Sequence, residues 1–377
     1  MRRNVRVLAF YLPQFHPIAE NDRWWGPGFT DWRSVVSGLP RFKGHHQPQL
    51  PADLGFYDLR LEETRLAQAD MARAFGIHGF CYYHYWFSGT RLLEAPFERV
   101  LRSGKPDFPF CLCWANESWT RAWDGLESQV LIRQEYSRDD NVEHIAWLLR
   151  AFSDRRYIRI DNRPLLLIYR IDSIPDSRAL VDLWQQEARS HGLEGIYLCA
   201  VKGGFLEMPE RAILDLGFDA VVDFQPNRHD FPSPRSLSGL AYKLARERLP
   251  HRLYQRLKVA VTANKIIDYD ALVSKQVAED WPKTYRKLPC VFPSWDNSAR
   301  RRSATIIQNS HPQTYGLWLR SSIEKVQDYP PSERLVFINA WNEWAEGCHL
   351  EPDSRNGRDF LRATQDALRS YQATGAP

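Results

Sequence analysis

Two glutamates near the C-terminal end have the type and spacing that glycosidic-bond chemistry requires. Glu343 and Glu346 directly follow the apolar run 335–340, LVFINA. Breaking or making a glycosidic bond needs one carboxyl as acid for the leaving oxygen and a second as nucleophile or base. A three-residue spacing in a turn or helix places both on one face, with Cβ atoms about 5–6 Å apart. The same residues would also suit a core strand followed by the Trp-rich start of a helix.

Candidate sugar-binding residues lie at the ends of other apolar runs. Nearly every run ends in a polar or aromatic side chain, as expected where strand ends face one pocket. Aromatic rings suit the apolar faces of sugars, and polar groups suit their hydroxyls. For His84 a satisfied core histidine is the open alternative. We therefore predict these substrate-binding residues: Tyr11, His16, Trp25, Tyr83, His84, Trp86, Trp114, Asn116, Glu117, Trp119, Tyr169, Asp223, Trp295, Asp296, Asn339, Trp341 and Asn342.

Glu117 competes with the C-terminal pair for a catalytic role. It follows Asn116 at the end of the third apolar run. Many retaining barrel glycosidases place their acid/base in such an Asn-Glu pair, although on the fourth strand. A pair of Glu117 with Glu343 is therefore an alternative. Otherwise Glu117 would order Arg121 or bind a substrate hydroxyl.

Eight short apolar runs alternate with amphipathic segments along the chain. The runs, each predicted as a β-strand, are 5–11, 79–83, 108–114, 164–169, 195–201, 220–224, 288–293 and 335–340. Helical patterns lie between several of them, at 61–75, 92–103, 142–152, 177–191 and 209–216. This alternation predicts an α/β protein, a (β/α)8 TIM-type barrel forming one catalytic domain over 1–377. An open doubly wound sheet is the alternative, but a Gly-rich phosphate loop is missing after the first run.

Two long connections interrupt the regular alternation, at about 13–57 and 226–287. The first carries Trp24, Trp25 and Trp32, and we expect it to fold over the C-terminal face of the barrel. The second contains a basic helical stretch over 238–261. A solvated helix face is the simplest interpretation of that stretch. A contact with an anionic glycan or with the membrane surface is the open alternative.

The composition excludes several classes of function. The 377 residues carry 50 basic and 46 acidic side chains, with no block of the kind that binds nucleic acid. The spacing of His16, His45 and His46 matches no standard metal site, and no cofactor motif is present, so we expect neither metal nor cofactor. Five of the six cysteines lie in apolar runs, which predicts reduced thiols in a cytoplasmic protein. No window approaches the roughly 20 apolar residues of a membrane span.

Five longer motifs resemble one known family. They are YLPQFHPIAENDRWWGPGFTDW from residue 11, QPQLPADLGFYDLR from 47, GFCYYHYWFSGTRLLE from 79, KPDFPFCLCWANESWTRAWDG from 105 and INAWNEWAEGCHLEPD from 338. Together they resemble the WbsX family of bacterial polysaccharide-biosynthesis proteins over nearly the whole chain. That family is usually described as glycosyltransferases of lipopolysaccharide O-antigen clusters.

The last motif is also similar to glycoside hydrolase family 99, the endo-α-mannosidases, which are (β/α)8 barrels. In that family the first glutamate of the motif is a base on the substrate 2-hydroxyl. This hydroxyl attacks the anomeric carbon and gives an epoxide-like intermediate, while the second glutamate is the general acid/base. The resemblance implies the first role for Glu343 and the second for Glu346. The rest of the pocket does not match, so mannose specificity is not implied.

These observations predict an enzyme acting on glycosidic bonds of a bacterial surface polysaccharide of the O-antigen type. The substrate would be an oligosaccharide or polysaccharide, free or lipid-linked, and the chemistry that of a retaining hydrolase or transglycosidase. A nucleotide-sugar-dependent glycosyltransferase in lipopolysaccharide biosynthesis is the alternative, although no nucleotide-binding signature is present. A non-catalytic glycan-binding barrel would keep the aromatic residues without needing both carboxylates.

Overall fold

Eight parallel strands form a closed barrel in the computed structural model, which describes residues 5–121, 126–231 and 264–373. The basic stretch predicted at 238–261 lies outside these residues. In chain order, β1 to β8 are Arg6–Tyr11, Gly79–Phe87, Phe110–Trp114, Arg163–Ile168, Tyr197–Lys202, Ala220–Asp223, Arg286–Val291 and Leu335–Ile338. Each pairs in parallel with its sequence neighbour.

Pairing between the first and last strands closes the ring. Arg6 of β1 lies opposite Leu335 of β8, and Leu8 of β1 lies opposite Gly79 of β2. A parallel sheet buries both faces, because its crossover helices cover the outside. The strands accordingly read as continuous apolar runs, and β8 is fully buried. The prediction of a (β/α)8 barrel is confirmed.

Ten α-helices occur in the described residues. In chain order, α1 to α10 are Ala19–Trp25, Asp31–Val36, Glu62–Ala74, Ala95–Ser103, Arg138–Phe152, Ser177–Ser190, Glu210–Asp215, Tyr269–Val277, Pro312–Lys325 and Asp359–Ala373. The five predicted helices correspond to α3 to α7. The sequence analysis did not predict α1, α2 or α8, which lie inside the two long connections, nor α9 and α10. Within the described ranges, no helix combines the length and apolar composition that crossing a bilayer requires.

Short strands and 3-10 turns lie in the loops between the barrel strands. The strands are Thr90–Leu92, Trp119–Arg121, Leu126–Ile132, Arg159–Ile160, Lys265–Asp268, Trp295–Asp296, Thr305–Gln308, Asn342–Glu343 and Cys348–His349. Short 3-10 turns cover Ile171–Ser173, Asn297–Ala299, Pro331–Glu333 and Trp344–Glu346. Helix α2, from the first long connection, packs against the turns Asn297–Ala299 and Trp344–Glu346. That connection therefore lies over the end of β8, as predicted.

Side chains of β2 alternate between the barrel interior and the helix layer, because successive residues of a strand point to opposite faces. Tyr83 faces inward and stacks on Phe10 at 5.5 Å. His84 faces outward, stacks on Trp147 of α5, and its Nε2 lies 2.9 Å from Nε2 of His144. Both imidazoles are buried. Burial lowers the pKa of His84 to about 3 and lowers that of His144 well below its usual value.

The buried histidine pair makes stability depend on pH. In the unfolded chain both imidazoles titrate near pH 6.5, whereas the folded protein keeps them neutral to lower pH. Their contribution is fully present above pH 6.5 and is lost as the pH falls below it. From pH 7.5 to 5 each histidine should cost about 2 kcal/mol of the free energy of unfolding. We expect His84→Phe to flatten this dependence, as measured by urea unfolding. The control His191→Phe, at an exposed position, should keep the wild-type slope; a wild-type slope in His84→Phe contradicts the prediction.

Candidate active site

The chain after β8 folds into a tight turn that presents both glutamates. The strands Asn342–Glu343 and Cys348–His349 pair in antiparallel fashion, and the 3-10 turn Trp344–Glu346 joins them. The turn ends at Gly347, whose φ of 57° lies in the left-handed region that favours glycine. A Cβ there would lie only 3.0 Å from the backbone nitrogen of Asp296. A glycine is therefore needed where the chain reverses beside the neighbouring loop.

One guanidinium, that of Arg300, contacts both glutamates. Its Nη1 lies 3.4 Å from Oε1 of Glu346 and 3.9 Å from Oε2 of Glu343. Because both distances share one nitrogen, these two oxygens are no more than 7.3 Å apart. This limit allows the roughly 5–5.5 Å carboxyl separation of retaining glycosidases. Its Nη2 donates a hydrogen bond of 2.7 Å to Oδ2 of Asp31. The side chains of Arg300 and Asp31 are buried.

Burial raises the pKa values of both glutamates. Burial raises the pKa of Glu343 to about 8, and the adjacent Glu346 adds to the rise. Burial also raises the pKa of Glu346, against the opposing charges of Arg300 and Arg301. Among the described residues, Oε2 of Glu343 has no hydrogen-bond partner that would stabilise a negative charge. Two neighbouring carboxyls cannot both ionise easily, so we infer that the pair holds one proton near neutral pH.

Aromatic side chains form a wall beside the glutamates. Tyr83 and Tyr85 of β2 both face inward, and Tyr169 directly follows β4. Burial is the main cause of the raised pKa of each tyrosine, and the Glu343 carboxylate contributes in all three cases. Trp119 extends the wall, with its ring 5.1 Å from that of Tyr85. Such a wall can stack against sugar rings next to the carboxylates.

Glu117 lies at the edge of this pocket and is already paired. Its Oε1 accepts a hydrogen bond of 2.7 Å from Arg170, which also binds Asp172. Its side chain is 46% exposed, in contrast to the buried Glu343. Glu117 thus orders Arg170. The side chain of Arg121, the partner suggested by the sequence analysis, lies outside the described side chains.

Sequence comparison places the chain in a known family. The family model for glycosyltransferase WbsX matches residues 7–364. The chain belongs to the WbsX family. Two proteins from strains of Xanthomonas campestris pv. campestris, each named uncharacterized protein WxcX, are 43% and 42% identical to it over 368 residues. The alignments cover 96% of this chain but 49% of each relative, so the chain spans about half their length.

Solved structures of glycoside hydrolases share the barrel. Two structures of the GH99 endo-alpha-mannosidase from Bacteroides thetaiotaomicron match with TM-scores of 0.56 and 0.57, at 13% and 14% identity, and cover 98% of both chains. A glycoside hydrolase-like protein matches with a TM-score of 0.58 at 14% identity, covering 97% of this chain and 94% of its own. At such identities the likeness concerns the fold alone. The description of the family, a glycosyltransferase, is that of a carbohydrate-active enzyme.

Several residues of this WbsX-family chain that were predicted to bind substrate face away from the barrel interior. His84 and Trp86 lie on the outer face of β2, and Trp86 donates a hydrogen bond to Asp140 of α5. Trp114 packs against Trp184 of α6. Strand-end position was a correct signal for the pocket, but the two-residue alternation sends every second side chain to the helices. For that reason the structure places these three side chains among the helices and not in the barrel interior.

Three further predicted ligands also lie away from the barrel interior. Tyr11 is buried and donates a hydrogen bond of 2.7 Å to Gln68 of α3. Trp341 packs its ring 5.2 Å from Phe80, on the outer side of the barrel. Asp223 is buried 3.3 Å from Nζ of Lys287, and burial raises its pKa to about 6. The structure therefore does not bring these side chains to the glutamates.

Four predicted ligands use their polar groups on the protein itself. Asn342 binds the backbone nitrogen and oxygen of Leu12, and Asn116 binds those of Arg170. The Asn339 amide donates to the Gln225 carbonyl. Asp296 accepts from both His45 and Gln47 at 2.7 Å. These side chains connect the loops of the pocket, and their hydrogen bonds leave them little capacity for a sugar hydroxyl.

The remaining predicted ligands lie in the long loops. His16 is buried, burial lowers its pKa to about 4, and its nearest charged neighbours include Asp58 and not the glutamates. Trp25 is half-buried, 5.8 Å from the ring of Phe29. Trp295 is half-buried and pairs with the strand Thr305–Gln308. Of the predicted ligands, the structure brings these to the pocket, where sugar binding stays a prediction: Tyr83, Tyr169, Trp119 and Glu117.

The sequence analysis missed three residues of the site. Arg300 and Asp31 come from loops far apart in sequence, and Tyr85 is the second inward side chain at the end of β2. A signal existed for Arg300, because a run of three arginines at 300–302 closely follows the polar strand-end residues after β7. No sequence signal distinguished Asp31 from other acidic residues of the first long connection.

A buried carboxylate, that of Glu351, hydrogen-bonds to the turn that carries the two glutamates. It accepts hydrogen bonds from Trp344 Nε1 and the Tyr57 hydroxyl at 2.7 Å, and from Gln68 Nε2 at 2.6 Å. Burial raises its pKa to about 7, and these donors oppose the rise. Because Trp344 lies between the two glutamates in sequence, the network holds the turn in place.

Removal of Glu351 tests how strongly this network supports the site. Glu351→Ala leaves three buried donors unpaired and should lower the free energy of unfolding by about 3 kcal/mol. Glu351→Gln keeps an acceptor and should cost less than half as much. Urea unfolding of both variants measures the difference, with Glu324→Ala at an exposed position as the control. Equal costs for Ala and Gln would show that the hydrogen bonds contribute little.

Proposed function

We propose that this chain is a retaining enzyme that cleaves or transfers glycosidic bonds of a bacterial surface polysaccharide of the O-antigen type. One observation carries the proposal: Glu343 and Glu346 lie beside one buried guanidinium at the carboxyl ends of the barrel strands. In TIM-type barrels the reacting groups lie at this face. The aromatic wall formed by Tyr83, Tyr85 and Trp119 supports a sugar substrate, free or lipid-linked.

In the proposed reaction the pair works across one glycosidic bond. Glu343 takes the proton of the substrate 2-hydroxyl, whose oxygen attacks the anomeric carbon. The bond to the leaving oxygen breaks as Glu346 donates its proton to that oxygen. Water or a sugar hydroxyl then attacks the anomeric carbon, gives its proton to Glu346, and the 2-oxygen recovers its proton from Glu343. Water yields hydrolysis, and a sugar hydroxyl yields transfer with the same stereochemistry.

The electrostatics of the free site support a reversed assignment as a second candidate. Glu343 is the more buried carboxyl and lies farther from Arg300, so the shared proton favours Glu343. Under this assignment Glu343 is the acid, and the ionised Glu346 is the nucleophile or base. The two assignments share the same pair and differ in which carboxylate needs the proton before reaction.

Substitution of each glutamate tests whether the pair is catalytic. Glu343→Gln and Glu346→Gln should each reduce turnover of a cognate polysaccharide by at least about a thousandfold, because each removes one proton-transfer partner. Product release by chromatography measures turnover, and thermal unfolding should show that both variants remain folded. Glu117→Gln should keep most activity. Full turnover in both pair variants would refute the proposal, and loss in Glu117→Gln alone would move the catalytic role to Glu117.

Substrates with a good leaving group separate the two assignments. A glycosyl fluoride needs little protonation, so the variant lacking the acid should recover much of its activity on it, whereas the variant lacking the base should not. Recovery in Glu346→Gln supports the assignment implied by the family resemblance, and recovery in Glu343→Gln supports the reverse. Initial rates of fluoride release from both variants measure this difference.

The family description favours a nucleotide-sugar-dependent glycosyltransferase as an alternative function. That alternative makes wild-type turnover depend on added nucleotide sugar, which the same product assay detects. A glycan-binding barrel would bind the polysaccharide and leave it unchanged.

For location, we propose the cytoplasm, because all six cysteines of the chain are buried free thiols, as is usual in reducing compartments.

A further inference from the structure

Asp31 and Arg300 form a buried ion pair behind the glutamates, and the reaction proposed above leaves it without a role. Oδ2 of Asp31 accepts a hydrogen bond of 2.7 Å from Nη2 of Arg300. The Asp31 side chain is fully buried, and that of Arg300 is 7% exposed. The other terminal nitrogen, Nη1, points to Glu343 and Glu346. One guanidinium thus bridges a structural carboxylate and the two reacting carboxyls.

The loop that carries Arg300 is held from several sides. Arg41 donates to the Ser298 carbonyl at 2.6 Å and to the Arg302 carbonyl at 2.6 Å. Asp296 accepts from the Ser298 backbone nitrogen, and Asn297 accepts from that of Thr305, both at 2.9 Å. Helix α2, which begins at Asp31, packs on the same turn. The guanidinium therefore does not need to reorganise when the charge of the glutamates changes.

The charges around the glutamates leave room for one proton. Among the described residues, three carboxyls contact the Arg300 guanidinium, so full ionisation would leave two negative charges that Arg300 does not compensate. Arg301 adds a positive charge that acts on Glu346. The other ionisable groups that interact electrically with the pair carry no charge at neutral pH, since burial raises their pKa values: Tyr83, Tyr85, Tyr169 and Cys348.

The two members of the ion pair act on the glutamates in opposite directions. The positive charge of Arg300 favours ionised Glu343 and Glu346, while the negative charge of Asp31 favours their protonated forms. The charge of Arg300 by itself would favour the state in which both carboxyls are ionised. The charge of Asp31 by itself would favour the state in which both are protonated. Together they favour the intermediate state in which one carboxyl is protonated and the other is ionised.

We propose that Asp31 and Arg300 are positioning residues that set the pH range in which Glu343 and Glu346 share a single proton. This inference rests on the proposed function, because the singly protonated pair is the form that the reaction needs. The effect of Asp31 and Arg300 on proton binding by the glutamates is present whether or not a substrate is turned over. The ion pair is therefore part of the acid–base machinery, through the glutamates, and not only a link between loops.

The pH dependence of turnover tests this role through shifts of opposite sign. Asp31→Asn should move both limbs of the kcat/KM profile down by about one pH unit, and Arg300→Gln should move them up by about one unit. Arg300→Lys keeps the charge and should stay closer to the wild type. A link that only holds loops together would lower activity without opposite shifts. Shifts of the same sign in Asp31→Asn and Arg300→Gln, or none, overturn the proposal.

A titration without substrate keeps this test separate from the proposed function. The carboxyl carbons of the full chain, labelled with 13C at glutamate, report protonation of Glu343 and Glu346 by NMR, with assignment by the Gln variants. Asp31→Asn should lower the apparent pKa values, and an unshifted titration overturns the inference even if Arg300→Gln does not fold. The control Asp219→Asn removes a carboxylate paired with Arg163 before β6, and its titration should match the wild type. Shifted titrations without turnover would refute the proposed function alone.

Discussion

The site depends on how two buried carboxyls and one half-buried carboxyl share one guanidinium. Asp31, Glu343 and Glu346 all lie within 4 Å of Arg300. An uncompensated charge in a protein interior costs several kcal/mol, so each carboxyl needs the cation or a proton. Asp31 takes the shortest contact, and in our proposal the glutamates share one proton. The proposed reaction uses this distribution, with one glutamate as the acid and the other as the base.

Such a distribution of charge requires that the four side chains keep fixed positions. The barrel and its loops hold them there. Asn342 ties the turn after β8 to both backbone groups of Leu12 after β1, at the point where the barrel closes. Glu351 accepts a hydrogen bond from Trp344 of the same turn, and Arg41 donates one to the Ser298 carbonyl in the loop that carries Arg300. Asn342, Glu351 and Arg41 use their polar groups in these contacts. Among the described residues, Tyr83, Tyr85 and Trp119 form the aromatic wall beside the glutamates.

Sequence patterns predicted the barrel well because its buried strands are continuous apolar runs, whereas the helices between them are amphipathic. Eight buried strands and five of the helices coincide with runs identified from residue type alone. The helices within the long connections were missed, since short segments such as α2 have too few turns to show a period. For the site, strand ends were the correct place to look. Tyr83 and His84 are neighbours in sequence and face opposite sides, which residue type does not reveal.

The sequence by itself determined the family, the barrel and the local spacing of Glu343 and Glu346. These follow from motifs and from contacts between residues close in the chain. Tertiary structure alone decided which strand-end side chains face the pocket, because strand register and closure set the inward face. It also decided that Asp31 meets Arg300 across 269 positions of sequence. The charge state of the glutamates depends on that contact, since electrostatic interactions follow distance in space and not distance along the chain.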